Sequence, residues 1–271
     1  MHSIALSVQN VLSCGNERVQ CGTCQGGDDA MVFEYASKYG IPHDDCSSYI
    51  AENMQCSESL IGYNETARIE ARPDCYSCDE KARCWAITSY DRLWSSPAYG
   101  VYGEHGMMKD IIENGPISCG IIATDKMEHG YGPDCLEPPA SSNTTRAVAG
   151  AHCITGTFQE NSTGYVNHVI GVVGWGTDPE GNDYWTIRNS WGSEWGQEGF
   201  MNIVRKSNKG PLGTGNNLFE HDCAGAHVYD YATGGPYHAN PGPAAFQRRM
   251  SLLAPAPALK LETAHRLWSP Q

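Results

Sequence analysis

His168, Asn189 and Trp191 are the residues of this sequence whose types and spacing point most directly to chemistry. His168 lies in an apolar stretch with strand character, and Asn189 ends the next such stretch. An asparagine oxygen can accept one imidazole N–H and fix the tautomer, which leaves the other ring nitrogen for a thiol. Trp191 can cover that hydrogen bond from water. The pattern predicts the base of a nucleophilic site, although the run from Asn189 to Gly192 is also compatible with a plain turn between strands.

The elements that must position these residues are predicted from periodicity. Three segments with helical spacing come first: one capped by Ser7, one capped by Asp28 or Asp29 and stopped at Gly40, and one around residues 107–112 closed by Gly115-Pro116. Segments rich in β-branched and aromatic residues follow and are predicted to be strands: 117–123, 165–173, 183–188 and 200–204. Helices followed by strands favour an α+β fold with two packed lobes.

Composition along the chain predicts the domain limits. One folded unit is expected over residues 1–230, with a mainly helical, cysteine-rich lobe over 1–115 and a mainly β lobe over 116–230. Residues 125–164 contain prolines, two cysteines and two glycosylation sequons, so we expect a surface insertion and not core. Residues 231–271 hold six of the 15 prolines and no cysteine. A disordered extension is predicted there, with an interaction segment built on its leucines as the alternative.

Charge and hydropathy exclude several classes of partner. The net charge of −13 opposes binding to the phosphates of nucleic acid. The longest apolar stretches are far shorter than the roughly 20 residues of a membrane-spanning helix, so no span is predicted.

The 12 cysteines and three sequons, at Asn64, Asn143 and Asn161, favour an oxidising compartment, and a location in a secretory lumen or outside the cell is predicted. No signal peptide is visible over residues 1–9. The alternative use of cysteine is zinc, because two pairs have ligand spacing: Cys21 with Cys24, and Cys75 with Cys78. The pairs are separated by about 50 residues where a zinc ribbon has roughly 15–20, so no metal and no cofactor is predicted.

A set of motifs resembles the papain family of cysteine peptidases, and within it the cathepsin Z-like carboxypeptidases. The matching runs occur in the family's order: Leu6-Ser7-Val8-Gln9-Asn10-Val11 with Cys14, Cys24-Gln25-Gly26-Gly27, Tyr39-Gly40-Ile41-Pro42, Asn114-Gly115-Pro116-Ile117-Ser118-Cys119-Gly120, Asn167-His168-Val169 and Arg188-Asn189-Ser190-Trp191-Gly192.

The resemblance implies a two-lobed papain-like fold, with a helical lobe and a β-barrel-like lobe, and a lysosomal carboxypeptidase that acts through a thiol acyl-enzyme. It implies that His168 is the general base and acid, that Asn189 orients it, and that Trp191 shields the pair at the substrate site. Gly26 and Gly27 would present backbone to an extended substrate. Peptides or proteins are the implied substrates, and protein inhibitors are implied partners.

The family's nucleophile is not found in this sequence. It lies in a Cys-Gly-Ser-Cys-Trp run that precedes the Leu6-Ser7-Val8-Gln9 segment in the family, and no such run occurs here. The domain is therefore expected to be N-terminally truncated, inactive as it stands, and poorly folded because a central helix is absent. Cys24 is the alternative nucleophile, since its distance in sequence from His168 fits the family. However, Gly26-Gly27 follow it where a helix is needed.

The resemblance also implies a set of disulfides. The expected pairs are Cys14 with Cys46, Cys56 with Cys75, Cys78 with Cys84 and Cys119 with Cys223, and Cys135 with Cys153 could close the insertion. Cys21 and Cys24 are left over. Three functions stay open: a fragment of a peptidase, a catalytically dead papain-like binding or regulatory module, and a disulfide-rich extracellular structural module.

Overall fold

The computed structural model describes residues 5–56, 71–72, 74–78, 84–87, 89–133, 153–205 and 215–234. Within these ranges the chain forms two lobes. The described residues up to 95, together with 228–234, form the first lobe, and the described residues between 99 and 225 form the second lobe. No helix in the described ranges is long and apolar enough to cross a membrane.

The described helices are mostly short, and five of the eight lie before residue 50. They are α1 (Val8–Asn10), a π-helical turn (Val11–Gly15), α2 (Asn16–Val19), α3 (Asp29–Lys38), a 3₁₀ turn (Asp44–Cys46), α4 (Gly103–Asn114), α5 (Asp125–Gly130) and a second 3₁₀ turn (Phe219–His221). The caps predicted from the sequence are confirmed. Ser7 Oγ accepts a hydrogen bond from Asn10 N at 2.9 Å, and Asp28 accepts from two amides at the start of α3. Gly40 and Gly115 follow helix ends with φ of 72° and 98°, which glycine adopts without strain.

Fifteen strands are described: β1 (Gly22–Thr23), β2 (Gly26–Gly27), β3 (Ile41–Pro42), β4 (Gln55–Cys56), β5 (Ala71–Arg72), β6 (Tyr76–Cys78), β7 (Cys84–Ala86), β8 (Tyr90–Ser95), β9 (Tyr99–Val101), β10 (Ile117–Ile121), β11 (His168–Thr177), β12 (Asp183–Arg188), β13 (Phe200–Val204), β14 (Cys223–Gly225) and β15 (Val228–Gly234). The main sheet has the order β13-β12-β11-β10-β14-β9 and is antiparallel throughout. A three-stranded sheet, β15-β8-β3, belongs to the first lobe. The α+β architecture expected from the resemblance is confirmed.

The predicted lobe boundary at residue 115 is wrong. β9 pairs with β14 in the main sheet, and α4 packs on β10 and β11, so both belong to the second lobe. The predicted start of the second of these strands at residue 165 is also wrong, because β11 begins at His168 and Tyr165 is 94% exposed. A short run of apolar residues indicates a strand, but it does not indicate which strand it pairs with. The partner strand lies far away in the sequence.

The prediction that residues 125–164 lie outside the core is wrong at both ends of the segment. Met127, Tyr131 and Phe158 are at most 2% exposed and pack in the main core of the second lobe. Phe158 also pairs with β13, since Phe158 N donates to Asn202 O at 2.7 Å. Residues 134–152 lie outside the described ranges, and so does the sequon at Asn143.

The prediction of disorder from residue 231 onward is wrong for its first residues. Residues 231–234 continue β15, where Tyr231 pairs with Leu93 and Gly234 with Tyr90. Pairing with the edge of β8 therefore gives these residues strand structure, although the stretch has a low apolar content. Residues 235–271 lie outside the described ranges, as does the sequon at Asn64, whereas Asn161 is exposed.

Two of the expected disulfides exchange partners. Cys14 is bonded to Cys56 and Cys46 to Cys75, so the pairing of Cys14 with Cys46 and of Cys56 with Cys75 is wrong. The hydrogen bond from Cys56 N to the Glu17 carboxylate, at 2.8 Å, ties β4 to α2, which directly follows the π-helical turn that carries Cys14. This long-range contact has no signature in cysteine spacing.

The remaining cysteines agree with expectation where they are described. Cys119 is bonded to Cys223. Cys78 and Cys84 lie opposite each other on β6 and β7, and their side chains lie outside the description. Cys153 is disulfide-bonded, and its expected partner Cys135 lies outside the described residues. Cys21 and Cys24 are free.

Candidate active site

His168 and Asn189 come together at one end of the main sheet. His168 begins β11 and Asn189 directly follows β12, and the pairing of Gly171 with Arg188 sets these two ends side by side. The His168 Nε2 to Asn189 Oδ1 distance is 2.8 Å. Because an amide oxygen only accepts hydrogen bonds, a neutral ring carries its proton on Nε2. Nδ1 is then an acceptor, and it has no hydrogen-bond partner among the described residues.

Trp191 packs against this pair. Its ring stacks on that of His168 with centroids 4.8 Å apart and an interplanar angle of 25°. Trp195 meets Trp191 edge-on at 5.0 Å, and its indole N–H donates to the carbonyl oxygen of Glu128 in α5 at 3.1 Å. The fixed tryptophan pair keeps water from one face of the imidazole. Trp191 is absent from the lining of the cleft described below, so its position fits the predicted shielding and not the predicted contact with substrate.

Asn167 holds the backbone in place one residue before His168. Its side-chain oxygen accepts from Ala123 N at 2.7 Å, and its amide nitrogen donates to Ala123 O at 3.1 Å. These two bonds tie the start of β11 to the end of β10. The sequence motif that contains Asn167 does not indicate this role, because the hydrogen-bond partner, Ala123, lies 44 residues away in the sequence.

His168 lines a cleft of about 520 Å³ between the two lobes. The second lobe contributes residues 166–169 and Ser190. The first lobe contributes Val11 and Leu12 from the π-helical turn, the hairpin of β1 and β2, and the start of α3. Gly26 and Gly27 line the cleft as expected. The cleft thus brings the predicted base and the predicted backbone platform into one site.

The glycines of the hairpin are required by close backbone contacts. A Cβ atom on Gly27 would lie 2.3 Å from the carbonyl oxygen of Cys21 and 2.9 Å from the Cα of Gly22. Gly26 has a φ of 133°, a conformation that side chains disfavour. Within the described residues β2 pairs only with β1, so its other edge offers backbone groups to an extended peptide.

Two free thiols lie near the cleft, and neither has the properties of a nucleophile. Cys21 lines the cleft but is 3% exposed, its Sγ donates to Val11 O at 3.4 Å, and burial raises the pKa of its thiol. Cys24 is exposed at the tip of the hairpin and is not among the residues that line the cleft. The backbone N–H of Cys24 donates to Asn53 Oδ1 at 2.9 Å, which holds the tip in place.

Zinc at the two pairs with ligand spacing is not supported by the bonding of their members. Cys75 is bonded to Cys46 and cannot supply a thiolate beside Cys78.

Asp28 and Asp29 line the cleft, although the sequence pattern predicted for them only a role in helix capping. Asp28 and Asp29 directly follow Gly26 and Gly27, which were expected to contact the substrate. This position in the sequence could have indicated that they also reach the cleft.

Comparisons with known proteins agree with this geometry. A sequence model described as papain family cysteine protease matches residues 1–219. The chain is 34% identical to cathepsin Z of Onchocerca volvulus over 223 residues, which are 82% of this chain and 59% of that protein. It is 28% identical to cathepsin K of Mus musculus over 207 residues, 76% of this chain and 47% of that protein. The chain therefore spans about half to three fifths of these relatives.

Solved structures show the same fold. Procathepsin B S9 of Trypanosoma congolense superposes with a TM-score of 0.54 at 20% identity, covering 84% of this chain and 61% of that chain. The bromelain protease of Ananas comosus, solved with the inhibitor E64, gives 0.53 at 19% identity, covering 84% and 80%. From the family match and the identity to cathepsin Z together, the chain belongs to the papain family of cysteine proteases.

Proposed function

We propose that this chain carries the base and the substrate platform of a cathepsin Z-like cysteine peptidase, in which His168 is the general base and acid and Asn189 orients it. The observation that carries the proposal is the 2.8 Å contact between these residues, stacked under Trp191 and facing an inter-lobe cleft. Gly26 and Gly27 bind the backbone of the substrate.

The chemistry follows from the free Nδ1 of His168. Nδ1 accepts the proton of a cysteine thiol, and the thiolate attacks the peptide carbonyl. The imidazolium then gives the proton to the leaving amine, and water hydrolyses the acyl-enzyme with His168 again as base. The thiol comes from a residue that is not part of this sequence, which lacks the Cys-Gly-Ser-Cys-Trp run. The chain alone is accordingly expected to be inactive.

The finer assignments rest on likeness to cathepsin Z. They are removal of single residues from a free carboxyl terminus, peptide or protein substrates, protein inhibitors as partners, and a lysosomal or secreted location. The disulfides at Cys14–Cys56, Cys46–Cys75 and Cys119–Cys223 support an oxidising compartment.

A second candidate function is a catalytically dead module that binds peptides in the same cleft. It is favoured by the state of the free thiols in the described residues, since Cys21 is buried with a raised pKa and Cys24 lies outside the cleft lining.

A chimera separates the two candidates. The N-terminal segment of a cathepsin Z, including its Cys-Gly-Ser-Cys-Trp run, is joined to this chain, and release of the C-terminal residue from peptides is measured. We expect hydrolysis that falls by more than about 100-fold in His168→Ala. A folded chimera without activity, or with activity that survives His168→Ala, would contradict the peptidase proposal. Labelling of Cys24 by a peptidyl epoxide in the 271-residue chain would contradict the absence of a nucleophile.

A further inference from the structure

We propose that the cleft selects peptides with a lysine or arginine side chain, which is held by the carboxylates of Asp28 and Asp29. This inference rests on the proposed function, because it concerns the same cleft. Asp28 and Asp29 are the two residues with acidic or basic side chains, His168 aside, among those that line the cleft.

One carboxylate oxygen of Asp28 caps α3, and the other is available to a ligand in the cleft. Its Oδ1 caps α3 by accepting from Ala30 N at 2.9 Å and Met31 N at 3.3 Å. Its Oδ2 has no hydrogen-bond partner among the described residues, and the side chain is exposed on the cleft wall. The cap fixes the carboxylate in one orientation, so a ligand does not have to order it.

Asp29 is held from the opposite lobe. The hydroxyl of Ser118, on β10, donates to Asp29 Oδ2. In the described part of the chain no lysine or arginine forms an ion pair with Asp28 or Asp29. Two carboxylates are therefore fixed side by side at the cleft, with no counter-charge from the residues that the structure describes.

The apolar surface next to these carboxylates completes the fit. Val32 lies one helical turn beyond Asp28 and Asp29 on α3 and lines the same cleft, with Val11 and Leu12 beside it. A lysine or arginine side chain has an apolar stem and a cationic head, so it can cover the valines while its head reaches the carboxylates. An acidic side chain would be repelled, and a neutral one would leave the charges unmatched.

Peptide binding to the 271-residue chain tests the inference. The probes are peptides of the form Ala-Ala-X-Ala-Ala with an uncharged N-terminal fluorophore, where X is arginine, lysine, norleucine or glutamate, and affinity is read by fluorescence anisotropy. We expect the arginine and lysine peptides to bind about five- to tenfold more tightly than norleucine at low salt, and this preference to shrink as salt rises.

The variant Asp28→Asn/Asp29→Asn should remove the preference, so that the arginine, lysine and norleucine peptides bind it with similar affinities. Asparagine also caps helices, so α3 is retained. The matched control is Asp44→Asn/Asp45→Asn, which removes two charges from a 3₁₀ turn that does not line the cleft and should keep the preference.

Each result is decisive. Equal affinity for all four peptides in the wild-type chain, or a preference that survives Asp28→Asn/Asp29→Asn, overturns the charge selectivity while the peptide cleft stands. A preference lost equally in the Asp44→Asn/Asp45→Asn control shows an effect of net charge and also overturns it. Binding of none of the peptides overturns the cleft as a peptide site, and with it the proposed function.

Discussion

Neutralising Asp74 should lower the free energy of unfolding by about 3–6 kcal/mol, because its carboxylate is the counter-charge of two guanidinium groups in the first lobe. Asp74 is 6% exposed. Its Oδ2 accepts from Arg92 at 2.9 Å, and both of its oxygens accept from Arg18 at 3.1 Å. Asn10, in α1, donates to Oδ1 at 3.3 Å. The variant Asp74→Asn keeps the shape of the side chain and removes its charge.

The magnitude follows from the burial of the two partners. Arg92 is 1% exposed and cannot turn to water. Losing Asp74 leaves its buried charge without a counter-charge, with only the neutral oxygens of Tyr39 and Tyr90 as acceptors, at a cost of about 3–5 kcal/mol. The side chain of Arg18 is 24% exposed, and its pairing contributes about 0–1 kcal/mol after solvent screening. For a chain of this size the total corresponds to a fall in Tm of about 10 °C.

Urea unfolding at pH 7, followed by the fluorescence of the tryptophans, measures the change. Asp45→Asn is the control, since the Asp45 side chain is 93% exposed and its charge should matter by less than about 0.5 kcal/mol. The double variant Asp74→Asn/Arg92→Met removes both members of the buried pair and should recover part of the loss. A loss below about 1 kcal/mol for Asp74→Asn would refute the reasoning that the buried charge of Arg92 depends on this carboxylate.

Two further predictions concern stability. The disulfide between Cys119 and Cys223 closes 104 residues, so the double alanine variant should lose about 4–5 kcal/mol in denaturant unfolding, and a loss under about 2 kcal/mol would contradict the chain-entropy estimate. Burial, and then the charge of Asp74, raise the pKa of Tyr35, so the folded chain keeps this proton above about pH 10 where the unfolded chain loses it. Stability should therefore fall from pH 10 to 11 by up to about 1.4 kcal/mol more in the wild type than in Tyr35→Phe, and equal slopes would show that Tyr35 contributes nothing.

Local features of the fold were predictable because they depend on neighbours in sequence. The caps at Ser7 and Asp28 follow from side chains that bond amides two or three residues away. The strands β10, β12 and β13 follow from runs of β-branched and aromatic residues. The contact between His168 and Asn189 was expected from their order on consecutive strands.

Features that depend on distant segments were not predictable in the same way. The core positions of Tyr131 and Phe158 arise from packing against the main sheet, although their sequence neighbours are polar or glycine-rich. The exchange of partners at Cys14 and Cys46 depends on where β4 lies relative to the helical turn. The role of Asp29 at the cleft depends on a serine 89 residues further along the chain.

The return of β15 to the first lobe means that no single cut in the sequence divides the protein into its two lobes. The chain passes to the second lobe near Ser96 and comes back near His227, and these crossings are bonded to each other: Ser96 N donates to His227 O at 2.8 Å, and His227 N donates to Ser96 Oγ at 3.0 Å. The two passages of the chain between the lobes are therefore hydrogen-bonded to each other at one place on the lobe boundary. β15, which follows the second lobe in sequence, therefore completes the three-stranded sheet of the first lobe.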